Sequence, residues 1–266
     1  MKDLICHSIY EKEEKMLYKL LIIFGIAIIA IFSTFSSSTQ AQQVVKDGLV
    51  SYWTFNKADI NGDVAKDVFG KNNGTIKGCK QVAGKYGEAL EFDGVSNYVE
   101  VPNDKSLELW EKHTLEAWIF QKESRSSRII DKITAGTADG PHLDTHPGTK
   151  LRSCAGNCIS TTKDYSLNEW HHAVVTFDKG KVVLYIDGSA EGEGDVGSPL
   201  KGNQLSLKIG ADSNGQNLFK GIIDEVRVYN RALKADEVKI NMKASSLSID
   251  RLGKLPDTWG NLKTIY

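Results

Sequence analysis

Apolar and polar residues alternate along most of this chain in short runs, and the runs are punctuated by Asp-Gly and Asn-Gly pairs. The clearest stretch is NEWHHAVVTFDKGKVVLYIDG, residues 168–188. Residues 173–177 and 182–186 are apolar and largely β-branched. Asp178-Lys179-Gly180 separates them, and Asp187-Gly188 ends the second. Asp and Gly tolerate the positive φ of tight turns, so this stretch predicts a hairpin. Similar punctuation recurs at Asp93-Gly94, Asn73-Gly74 and Asn214-Gly215. Strand patterns cover 49–56, 89–92, 98–101, 114–120, 128–132, 150–153, 159–162, 205–209 and 221–229, and 67–74 reads as a polar, Gly-rich loop. Helical periodicity is confined to 233–242, with Asp236 and Glu237 in the first turn, where the helix dipole favours them. The pattern predicts an all-β, two-sheet antiparallel sandwich with one short C-terminal helix. Trp53, Trp118 and Trp170 are expected between the two sheets.

The 266 residues suit one globular domain of about 200 residues plus extensions. The formal net charge of −1 provides no bulk field for nucleic acid or an anionic membrane. Residues 20–35, LLIIFGIAIIAIFSTF, form an apolar run after Lys19, and a Ser/Thr stretch and Thr39-Gln40-Ala41 follow. Small residues at 39 and 41 predict signal-peptidase cleavage before Gln42. An uncleaved anchor is the other reading of this run, which is a little short for a span. Met16 is a candidate start. The expected organisation is therefore a leader and signal at 1–41, a sandwich domain at 42–243 and a tail at 244–266. The mature chain would be secreted, periplasmic or at the cell surface, with no membrane segment. Export gives the cysteines meaning. Cys154-Ala-Gly-Asn-Cys158 can close a hairpin loop as a disulfide, leaving Cys79 free; half of a zinc site is the competing reading.

Several segments together resemble the LamG-like jellyroll family of the concanavalin A-like lectin/glucanase superfamily. They are GLVSYWTFN (48–56), DVFGKNNGTI (67–76), ALEFDGVSNYVEVP (89–102), TLEAWIF (114–120), NEWHHAVVTFD (168–178), VVLYIDG (182–188) and GIIDEVRVYNRAL (221–233). The resemblance covers about residues 48–243. It implies a concanavalin A-like jellyroll used as a carbohydrate- or protein-binding module on secreted proteins, often with a structural calcium. Fold alone does not fix function.

Two groups of residues carry candidate chemistry. Period-2 alternation places Asp224 on the face of Val226 and Val228, as a buried carboxylate that needs a partner. Asp67 and Asn72 in the first loop, with Asp224, are candidate calcium ligands; backbone N–H groups donating to Asp224 are the alternative. In strand geometry His142, Asp144 and His146 share one face, with Arg152 and Asn157 on the next hairpin. In the resembled fold these middle strands present a concave face that hosts ligands in many lectins. The set suits sugar hydroxyls, which need donors and acceptors. A solvated face without ligand, or a transition metal on His142 and His146, are the other readings. If the set is an outward-facing sugar site, truncation at Asp144 or Arg152 should abolish glycan binding and barely change stability. His171 and His172 are read as structural, one on each face. The paired carboxylates of a glucanase strand are missing, as are the motifs of esterases, zincins and nucleotide-binding folds. The expectation is an exported, lectin-like binding module without catalysis, its partner a glycan or cell-surface polysaccharide. An adhesive, protein-binding module and a hydrolase with a non-standard site are the alternatives.

Overall fold

The computed structural model describes residues 43–197 and 200–244. Residues 1–42, where a signal segment is expected, and the tail from residue 245 lie outside the described residues. The described chain is two antiparallel sheets, one α-helix and two short 3-10 turns. The first sheet, sheet A, contains β1 (Leu49–Trp53), β5 (Lys80–Ala83), β6 (Glu88–Asp93), β8 (Lys112–Gln121), β13 (Trp170–Asp178), β14 (Lys181–Ile186), β15 (Ser189–Asp195) and β17 (Lys220–Tyr229). Its order is β15-β14-β13-β8-β17-β6-β5, with β1 also on β17. Sheet B contains β2 (Ile60–Asn61), β3 (Val64–Ala65), β4 (Gly74–Lys77), β7 (Tyr98–Val101), β9 (Ser127–Asp131), β10 (His142–Thr145), β11 (Leu151–Ala155), β12 (Asn157–Ser160) and β16 (Leu207–Ile209). Its order is β12-β11-β10-β9-β16-β7-β4-β3-β2. The β13–β14 hairpin forms as its pattern predicts, with Lys179 and Gly180 at φ 50° and 97°.

Inward residues of the two sheets form the main core. Leu115, Ala117, Ile119, Val175, Phe177, Ile223, Val226 and Val228 of sheet A meet Val99, Val101, Ile130, Leu143, Leu151 and Ile209 of sheet B. A second core lies on the outer face of sheet A. There α1 (Ala235–Lys243) and the N-terminal stretch pack Val44, Leu233, Val238 and Ala244 onto Leu49, Tyr52, Val174, Tyr185 and Tyr229. Trp53 fills the main core as expected. Trp118 and Trp170 do not: they lie on the outer face of sheet A. Trp118 sits edge-on to Tyr86 (centroids 6.1 Å), and Trp170 is half-buried against Phe120 (5.7 Å). β15, SAEGEGD, escapes an apolar pattern because it is an edge strand whose side chains are mostly exposed.

Two β-bulges set which side chains face outward. Register on β17 runs Asp224↔Trp118 but Arg227↔Glu116, so β17 holds one extra residue, Glu225, at φ 52°. The bulge falls where the free edge of β17 passes from β6 (pairing 220–223) to β1 (pairing 226–229). On β9 the register runs Leu143↔Ile130 but Asp144↔Arg128, so Ile129 is extra. Each bulge switches the parity of side chains along its strand.

Candidate functional site

The bulge at Ile129 turns both Arg128 and Asp131 to the outer face of sheet B. Register then builds two polar rows across the strands. One row is Arg128↔Asp144↔Arg152↔Ser160, on β9, β10, β11 and β12. The other is Thr75↔Glu100↔Lys208↔Asp131↔His142, on β4, β7, β16, β9 and β10. In the first row Arg152 grips Asp144 with two hydrogen bonds, Nε to Oδ1 at 3.0 Å and Nη2 to Oδ2 at 2.7 Å. Arg128 Nη1 donates to the same Oδ2. Asp144 is 1% exposed, whereas the arginine side chains keep 13% and 20%. The loop after β16 flanks this face: Asn217 O accepts from Arg128 N (2.8 Å), and Lys208 Nζ donates to Ser213 O (3.0 Å).

Asp131 adjoins this pair of rows. Its Oδ1 accepts from Ile133 N (3.2 Å), and Oδ2 sits 3.2 Å from Arg128 Nε without an aligned hydrogen bond. Burial pushes its carboxyl up to about 7, against the pull of Arg128. Strand alternation alone singles out neither Arg128 nor Asp131. The signal that could have found them is the Ile129-Ile130 pair between an Arg and an Asp, which breaks strict alternation.

The sequence-derived set is only partly assembled. Asp144 and Arg152 are joined directly. His142 is turned inward by its bonds: Nε2 accepts from Cys154 N (3.2 Å), and Nδ1 faces Gly140 O at 3.4 Å. Burial lowers its pKa, so the ring is a neutral tie between β10 and β11 rather than a ligand group. His146 is exposed beyond the strand end, with Nδ1 2.9 Å from Ser126 Oγ. Asn157 is exposed at the far end of β12, opposite Ala155 and three residues from Ser160. The expectation of a solvated face is corrected for Asp144, which is buried and fully paired. Cys154 and Cys158 face each other across the β11–β12 hairpin and form the disulfide; Cys79 is free.

Asp67, Asn72 and Asp224 do not come together. Asp67 Oδ1 accepts from Tyr52, Phe69 and Gly70 N–H groups, and Oδ2 from Asn72 N, all within 3.1 Å. An oxygen ringed by three N–H donors has no lone pair left for a cation. Asn72 Nδ2 donates to Ser51 Oγ and Ser106 Oγ. This loop bonds the edge of β1 through Tyr52 N and O, while β17 pairs with the other edge. Asp224 is also not on the face of Val226 and Val228, because the Glu225 bulge intervenes. It turns outward, and Tyr86 N (3.0 Å) and Glu225 N (2.8 Å) donate to it. Gly84 allows that approach, since a Cβ there would meet Asp224 Oδ2 at 2.6 Å. These residues do not fit a calcium ion, and among the described residues no group of three His, Cys, Asp or Glu side chains is set to hold a metal.

The outer face of sheet A carries a different ionic cluster. Arg227 pairs with Glu116 (Nη1 to Oε1, 2.7 Å) and with Glu225, and stacks over the Tyr52 ring at 4.5 Å. Tyr52 OH donates to Glu225. Asn241 of α1 donates to Glu116 and to Tyr229 OH, and accepts from Val45 N at 2.9 Å. All of Glu116, Glu225, Arg227 and Asn241 are fully buried. On the opposite face of β13, at its start, His171 Nε2 lies 2.9 Å from Ser166 Oγ, and its Nδ1 2.8 Å from Asp187 Oδ2. That spacing resembles nucleophile, base and orienter. Glu169 Oε2, at 2.6 Å, is a stronger acceptor for the Ser166 proton, so the serine hydroxyl is directed away from the imidazole.

Comparisons with known proteins match this geometry at the level of fold. The chain is similar to a sialidase of Trypanosoma rangeli (TM-score 0.60, 20% identity), covering 77% of this chain and 34% of that one. It is similar to domain 4 of AbnA, an extracellular GH43 arabinanase of Geobacillus stearothermophilus solved with arabinotriose (TM-score 0.54, 20% identity; 73% and 98% covered). The binding domain of Paraclostridial Mosquitocidal Protein 1 is a third (TM-score 0.57, 19% identity; 74% and 52% covered). Among curated proteins, 82 residues are 23% identical to adhesion G-protein coupled receptor V1 of Danio rerio, 30% of this chain and 1% of that receptor. The chain thus spans about a third of the sialidase and a small piece of the receptor. A family model described as concanavalin A-like lectin/glucanases superfamily matches residues 93–239, more than half of the 266. With its two antiparallel sheets, the chain belongs to the concanavalin A-like lectin/glucanase superfamily.

Proposed function

We propose that this chain is an exported, non-catalytic carbohydrate-binding module that takes a glycan on the outer face of sheet B, over Arg128, Asp144 and Arg152. The observation that carries this reading is the Arg–Asp–Arg row. It holds charged hydrogen-bonding side chains in fixed positions on a sheet face, with guanidinium edges still open to solvent. Rigid placement on strands is what a binding site needs. The arabinotriose complex of the AbnA domain supports a sugar-binding use of this fold by analogy, and the mosquitocidal protein's binding domain supports a binding use more broadly. The disulfide supports an oxidising compartment. No helix among the described residues is long and apolar enough to cross a membrane.

A protein partner is the second reading. The receptor match favours it, as does the half-buried row Ile222↔Phe120↔Trp170 on the outer face of sheet A. A glycan array separates the two. Binding that is lost in Arg152→Ala and kept in Trp170→Ala supports the sugar site on sheet B. Binding lost only in Trp170→Ala moves the site to sheet A.

A further inference from the structure

We infer that the glycan taken on this face is acidic, its carboxylate or sulfate held between the guanidiniums of Arg128 and Arg152. This rests on the preceding reading that the sheet B face is the glycan site. The acceptor capacity of the row is spent internally. Asp144 Oδ1 takes Arg152 Nε, and Oδ2 takes both Arg152 Nη2 and Arg128 Nη1. Arg128 Nη2 and Arg152 Nη1 have no hydrogen-bond partner among the described residues and are not sealed from solvent. Apart from the Ser160 hydroxyl at its end, which donates to His146 O (3.3 Å) and can still accept, the row therefore offers only donors. Neutral sugar hydroxyls need donors and acceptors together, whereas a carboxylate or sulfate accepts only. Two cations around one anion also leave the row with a net charge of about +1, and guanidinium edges match planar oxyanions.

The neighbouring row reinforces this. His142 is neutral, with both ring nitrogens turned to the backbone. Asp131 is faced by Arg128 on its own strand, by His142 and Asp144 on β10, by Lys208 on β16 and by Asp212 in the loop after it. With its carboxyl held up to about 7, Asp131 is protonated in mild acid and subtracts no charge there. Binding should therefore strengthen as pH falls from about 8 to about 6.

The test is titration of the full chain with polygalacturonate, a sulfated galactan, a neutral β-glucan and a neutral arabinan, at low and high salt. Expected is binding of at least one acidic polymer, weakened by salt and by about tenfold or more in Arg128→Gln and in Arg152→Gln, each with an intact melting transition. Arg152→Lys, which keeps the charge and loses the fork, serves if Arg152→Gln does not fold, and should also weaken binding. Lys163→Gln should change nothing; an equal loss there means diffuse attraction and overturns the inference. Binding of polygalacturonate alone assigns a carboxylate, and of the sulfated polymer alone a sulfate. Arginine-dependent binding of only the neutral polymers overturns the acidic class and leaves the site standing. Acidic binding unchanged in both arginine variants overturns the site. No binding to any polymer overturns the glycan reading itself.

Discussion

The two outer faces carry nearly the same chemistry in different surroundings. On sheet A, Arg227 sits between Glu116 and Glu225; on sheet B, Asp144 sits between Arg128 and Arg152. Each cluster is placed by a one-residue bulge, at Glu225 or Ile129. What differs is the cover. Helix α1 and the N-terminal stretch close over Arg227, and Asn241 and Val45 extend the network from above, bonded to Tyr229 of β17. Among the described residues nothing comparable closes over Arg128 and Arg152, whose side chains remain 13% and 20% exposed. Covered, such a cluster fixes how elements dock; uncovered, it leaves guanidinium donors facing solvent.

The largest effect expected from this contrast is on Arg227. Arg227→Ala leaves Glu116 and Glu225 buried without their cation, a loss of about 3–5 kcal/mol. That is a large part of the stability of a domain this size. Urea unfolding should show a midpoint well below wild type. A midpoint near wild type would mean the cluster is not sealed as described.

Much of this is legible in the sequence, and the failures share one cause. Strand positions, the 173–186 hairpin, the C-terminal helix and the 154–158 disulfide follow from local pattern, because turn residues and alternation act over a few positions. Bulges do not announce themselves that way. Period-2 counting through Ile223–Val228 puts Asp224 in the core, and one extra residue reverses it. The same effect hides Arg128 and Asp131 and leaves Asp144 without its second arginine when only alternation is counted. His142 and Asp144 fall correctly on one face because β10 is unbroken, yet their burial depends on Arg128 and Cys154, which only the fold brings near. The tail from residue 245 lies outside the described residues.

Asp144→Ala comes next in size. It leaves two partly buried guanidiniums without their carboxylate, so a loss of about 1–3 kcal/mol is expected. Thermal unfolding checks it. A loss as large as that of Arg227→Ala would make the sheet B row structural, and no loss would make it a solvated face.

A pH series sharpens the comparison further. The Asp131 carboxyl has a folded value of about 7, above the unfolded value near 4. Between these values the unfolded chain releases the proton while the folded chain keeps it, so the contribution to stability is present below about pH 4 and lost as pH rises to about 7. Asp131→Asn removes this titration. Wild type should fall relative to the variant between about pH 4 and about pH 7, with the difference constant above. Parallel melting curves across that range would place the Asp131 titration near its unfolded value.

The smallest effects are expected at the margin of the open row. Asn157 is exposed at the end of β12, and His146 is exposed beyond β10 with one side-chain contact, to Ser126 Oγ. Truncation there removes no buried partner, so Asn157→Ala and His146→Ala should each shift stability within about 0.5 kcal/mol. Their value is in locating the ligand. A short acidic glycan centred on the arginine pair reaches Ser160 in the same row, but Asn157 lies three residues farther along β12, about 10 Å away. Binding of a disaccharide should be unchanged in Asn157→Ala, while a longer oligosaccharide can lose a little affinity in either variant. If the disaccharide is lost in Asn157→Ala and kept in Arg128→Gln, the ligand lies over the disulfide hairpin rather than over the arginines, and the open cluster would then be only a second, less completely covered version of the one around Arg227.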